Sequence, residues 1–75
     1  MQTLAQLKAT DAALSMAFVE ATKPFTGQTG KNNPALQQVI KQHGQPLINS
    51  LEATGSTRAE AVQMLRVLLA MNEIH

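Results

Sequence analysis

Cysteine, tryptophan and tyrosine are all absent from this chain of 75 residues. Without cysteine there is no disulfide framework and no thiolate metal site to support a small core. Phe18 and Phe25 are the only aromatic residues, so the stacked rings that hold single-stranded nucleic acid are missing. Charge is scarce as well: six basic residues against five acidic ones give a formal net charge of +1. Such a balance argues against a strongly electrostatic partner such as a long phosphate backbone, unless a small basic face is hidden within it. No apolar run reaches the length of about 18 residues that spans a membrane. The start, Met1-Gln2-Thr3-Leu4, carries no basic group, and Asp11 interrupts the apolar run behind it, unlike a signal peptide. These absences lead to the expectation of a cytoplasmic protein with no membrane contact.

What is present reads as helix almost throughout, with no alternating strand pattern. Leu4, Leu7, Leu14, Phe18 and Ala21 follow three- and four-residue spacings across residues 3–23. Asp11 occupies a gap in that seam. Either Thr10 caps a new helix with Asp11 in its first turn, or one helix runs through; Ala9, Ala12 and Ala13 favour the second. Pro24 should end the helix, since the residue before a proline disfavours helical geometry. Residues 24–33 read as a loop rich in glycine and asparagine.

Helix punctuation follows. Asn33 is a candidate cap, Pro34 suits the first helical position, and Gly44 reads as the stop of a short second helix with Leu36, Val39, Ile40 and His43 inside. Gln45-Pro46 starts a short third helix, with Leu47, Ile48 and Leu51 buried and Gly55 at its end. Thr57 and Glu60 form a capping box for a fourth helix reaching Asn72 or Glu73. The expectation is an all-α fold: one four-helix domain over residues 1–75, with a long first helix, two short ones and an apolar last helix.

That last helix carries more apolar surface than one buried face needs. From Met64 to Met71 only Arg66 is polar. Val62, Leu65 and Leu69 line one stripe; Met64, Val67, Met71 and Ile74 line another, with Leu68 between. A chain this small has little material to wrap a helix on all sides. The expected function is therefore a small non-enzymatic regulatory or interaction protein. It would act by protein–protein contact through Met64, Val67, Leu68, Met71 and Ile74, first of all as a homodimer and otherwise with another protein. Met16, Met64 and Met71 suit adaptable apolar contact.

Other chemistry is poorly supported. Gly27-Gln28-Thr29-Gly30-Lys31 suggests a phosphate loop, but Phe25 and Asn32 stand where that motif needs a glycine and a Ser or Thr. His43 and His75 have no cluster of acids beside them for a metal. His43 suits instead the carbonyl end of the second helix. Ser15, Ser50 and Ser56 have no histidine partner, so no enzyme, cofactor or small-molecule substrate is expected. The alternative function is a helix-turn-helix-like DNA-binding transcriptional regulator. Leu51 to Arg66 has its outline: a short helix, a turn at Gly55, then a longer helix. Arg58, Gln63 and Arg66, helped by Lys41, would touch bases and phosphates. Thr54 and Ser56 flank the turn glycine where that motif usually places apolar residues.

Overall fold

The computed structural model describes residues 4–75, except for the side chains of Leu4, Ala5 and Leu7. Thr3 and the side chains of the seam positions Leu4 and Leu7 therefore lie outside what is described. The order is α1 (Leu4–Thr22), a 3-10 turn (Lys23–Phe25), α2 (Pro34–Ala53) and α3 (Arg58–Met71). Among the described residues there is no strand, so the all-α expectation holds. The helix count does not: three α-helices stand where four were expected.

The missing break is at Gly44-Gln45-Pro46, which α2 crosses without stopping. Gly44 is buried, and a Cβ placed on it would sit 3.0 Å from Leu65 Cδ1 and 3.4 Å from Phe18 Cε2. The glycine is thus the place where α2 comes close to α1 and α3, not a helix stop. Pro46 removes the amide that would donate to the Gln42 carbonyl, a disruption of about 3 kcal/mol in a helix interior. Leu47 and Ile48, directly after it, are buried in the core, and burying two such side chains contributes roughly 3–6 kcal/mol. Tertiary packing outweighs local preference. His43, expected at a helix end, is consequently in mid-helix and half-buried. It has no terminal carbonyls to cap.

The remaining punctuation is as expected. The Asn33 side chain accepts from the Leu36 amide, with Pro34 opening α2. At the other end Ser56 N–H donates to the Leu51 carbonyl and Gly55 N–H to the Glu52 carbonyl. This pair of bonds closes a helix around a left-handed residue, here Gly55 at φ +103°.

The core gathers Phe18 of α1, Leu47 and Ile48 of α2, and Ala61, Leu65 and Leu68 of α3. Leu14, Ile40, Leu51, Val62 and Leu69 pack around it, half-buried. The inner stripe of α3 is thus Ala61, Leu65 and Leu68, rather than Val62, Leu65 and Leu69. α1 passes Asp11 unbroken. Asp11 turns to α2, where its carboxylate accepts from the Ser50 hydroxyl and, at 2.9 Å, from the Thr54 hydroxyl. The aspartate in the seam is a polar tie between two helices. Every buried side-chain polar atom among the described residues has a partner. No described helix is long and apolar enough to cross a membrane.

Candidate functional site

α3 is held at both ends, and this decides which of its residues face out. At its start the Thr57 amide donates to Glu60 Oε1 at 3.0 Å, and the Glu60 amide donates to Thr57 Oγ1 at 3.1 Å. The Thr57 amide, and after it the Thr57 hydroxyl, hold the Glu60 carboxyl below its usual range. At its end the Ile74 amide donates to the Leu69 carbonyl and the Glu73 amide to the Ala70 carbonyl, both at 3.0 Å. Glu73 takes the left-handed conformation there, at φ +55°.

The turn after α3 is then tied to the rest of the chain. Asn72 Nδ2 donates to the Val19 carbonyl and to Thr22 Oγ1, each at 3.0 Å. Thr22 is fully buried, and its hydroxyl donates back to the Phe18 carbonyl at 2.9 Å. Gly27 N–H reaches the Asn72 carbonyl at 3.0 Å, and Gly30 N–H reaches the His75 carbonyl at 2.8 Å. The His75 amide returns to the Gln28 carbonyl at 3.3 Å. The loop read over residues 24–33 is therefore pinned by residues 72–75. The Gly27 and Gly30 amides, which a phosphate loop would turn to its ligand, donate here to the chain's own carbonyls.

With α3 fixed this way, Met64 is 42 %, Val67 49 % and Met71 66 % exposed, and Met16 of α1 is 70 % exposed. Met16 and Met71 line one shallow groove between α1 and α3, together with Ser15, Val19, Glu20 and Leu68. Met64 and Val67 line a second groove with Leu51 near the end of α2, Ser56 of the turn that follows, and Glu60 of α3. Two residues expected in this face do not belong to it. Leu68 is 8 % exposed and part of the core, leaving only an edge in the groove. Ile74 is 5 % exposed; as the apolar residue after the left-handed Glu73, it folds back as such helix ends do. Met16, in turn, was absent from the expected face. Its place beside Met71 depends on how α1 packs on α3, which spacing along one helix does not reveal.

Of the residues expected to touch DNA, Arg58, Gln63 and Arg66 do share one surface, a shallow depression with Ala59 and Val62 on another flank of α3. Arg58, largely exposed, pairs with the less exposed Glu52 at 3.7 Å. Lys41 is exposed on α2 and does not line that depression. Among the described residues no three of His, Asp and Glu converge as a metal site would require. The Ser50 and Ser15 hydroxyls are both engaged by Asp11, one through its carboxylate and one through its carbonyl. Comparison with known proteins, by family, by curated sequence and by solved structure, finds no match to this chain.

Proposed function

We propose that this chain is a small non-enzymatic interaction protein that works by protein–protein contact, and that its first partner is a second copy of itself. The observation carrying this reading is the exposure of Met16, Met64, Val67 and Met71, the last three at helical spacing on one side of α3 and Met16 beside Met71, next to a core that is already filled by other side chains. These residues expose on the order of 400 Å², within the range of the largest apolar patch on a typical monomer, which is often functional. Methionine suits such a surface because its thioether is polarizable and its side chain adapts to irregular neighbours.

Sedimentation of the wild type and of Val67→Glu at tens of micromolar tests the reading. The wild type is expected to sediment as a dimer. Val67→Glu is expected to sediment as a monomer with an unchanged helical circular dichroism spectrum, since two carboxylates would be forced into one apolar seam. A wild type that stays monomeric at that concentration removes self-association.

A second reading is favoured by one observation, the shared flank of Arg58, Gln63 and Arg66. If that flank binds DNA, affinity falls steeply with added salt and with Arg66→Ala, because phosphate contacts release counterions. The contact-face variants then leave binding unchanged.

A further inference from the structure

We propose that the second copy lies antiparallel across α3, about a two-fold axis beside Val67, so that Met64 of each copy packs against Met71 of the other. The inference rests on the self-association reading above and assigns its geometry. Met64, Val67 and Met71 recur along α3 at spacings of three and four, the seam spacing of paired helices. They form a ridge, and a groove lies to each side of it, one lined by Met16 and Leu68 with a volume of about 310 Å³. A ridge beside a groove is complementary to its own copy. Helices pack ridge into groove, and a two-fold contact uses one patch twice.

The area and the uncharged flanks of the ridge on α3 fit a second copy. A standard interface buries about 800 Å² per partner, of which a little over half, about 450 Å², is apolar. The exposed parts of the four apolar residues, on the order of 400 Å², nearly account for that share. The positions flanking the seam are Gln63 and Ala70. Charged flanking residues are what usually select a different partner helix, and these two are neutral, while one carboxylate lines each groove, Glu60 in one and Glu20 in the other.

Glu60 then sets the direction. It precedes Met64 by one turn, on the same side of α3, and its carboxylate is fixed on Thr57. A parallel pair would bring the two Glu60 carboxylates together across the seam and lay like helix ends side by side. An antiparallel pair separates them by roughly 22 Å along the axis and opposes the two helix dipoles.

The chain has no cysteine, so introduced thiols report the geometry without interference. Met64→Cys and Met71→Cys are oxidised separately and as an equal mixture, beside sedimentation of the wild type. In the antiparallel pair identical positions are offset by roughly 10 Å along the axis, whereas disulfide-bonded Cα atoms lie within about 7 Å. The 64–71 linkage in the mixture is therefore expected to exceed both self-linkages by an order of magnitude. Trypsin cleavage after Arg66 puts the two positions in different peptides, so mass identifies each linkage. Self-linkage of Met64→Cys overturns the antiparallel geometry while leaving self-association standing. A sedimenting dimer with no linkage at either position moves the contact off this ridge and overturns the proposal. A wild-type monomer overturns the self-association reading and this inference with it.

Discussion

Gly44 shows how much one missing side chain decides. It is the point at which α2 faces both Leu65 and Phe18, so closely that a Cβ there would lie only 3.0 Å and 3.4 Å from their side chains. Phe18 is completely buried and Leu65 is 8 % exposed, so neither has open space to retreat into. Gly44→Val should lower stability by about 1–3 kcal/mol, the usual result of overpacking a filled core. Gly44→Ala should fall between wild type and valine, because a helix-propensity gain of about 1 kcal/mol offsets part of the clash. Urea denaturation of the three proteins orders them; a valine variant as stable as wild type would mean that the helices separate there without loss. Asp11 is the other residue whose surroundings outrank its type. A carboxylate at a core-facing spacing requires donors, and Ser50 and Thr54 supply them.

At the scale of the elements, local signals were legible wherever a cap or a turn alone decides the outcome. Asn33-Pro34, Thr57 with Glu60, and Gly55 each act as their residue types dictate. Gly44 and Pro46 do not, because their effect is set by Leu47 and Ile48 packing on distant partners. The exposed apolar face of α3 divides the same way. Met64, Val67 and Met71 were readable as outward from spacing along α3. Leu68 was not, since the inner stripe turned out to be Ala61, Leu65 and Leu68; Ile74 was not, since it folds back past the helix end. Pro46 leads to a prediction: it is exposed within α2, so Pro46→Ala should restore the bond to the Gln42 carbonyl and raise stability by about 1–3 kcal/mol. A loss of stability in urea would instead show that the proline-shaped path of α2 is needed for Leu47 and Ile48 to reach the core.

The cap of α3 makes stability depend on pH in a definite direction. The Glu60 carboxyl titrates lower in the folded chain than in the unfolded one because Thr57 donates to its charged form. Its contribution is therefore complete above the ordinary glutamate range, near pH 4.3, and is lost as pH falls through the lower folded value. Thr57→Ala, which removes the hydroxyl half of the box, should destabilise by about 1 kcal/mol at neutral pH. Glu60→Gln should flatten the stability profile between about pH 5 and pH 3 relative to wild type. Chemical denaturation across that range checks the slope; identical slopes in the two proteins would show that Glu60 contributes no linked proton.

For the whole molecule, small size joins stability to partnership. The chain measures 40 × 21 × 18 Å, and a domain of this size typically has about 4–11 kcal/mol of stability in total. A substitution such as Leu65→Ala, at about 2–5 kcal/mol, would consume much of that. On the proposed self-association, covering Met16, Val67 and Met71 with a second copy would add stability that depends on concentration, because anything bound only by the folded state shifts the folding equilibrium by mass action. The thermal midpoint of the wild type should therefore rise across a hundredfold increase in protein concentration. In Val67→Glu it should stay constant, since that chain has no folded partner. Salt should change the wild-type midpoint little, because the seam carries no opposed charges whose attraction ions could screen. Differential scanning calorimetry at several concentrations separates these expectations. A concentration-independent midpoint in both proteins would mean that the outer face of α3 does not couple folding to self-association, and that the exposed methionines serve a partner other than this chain.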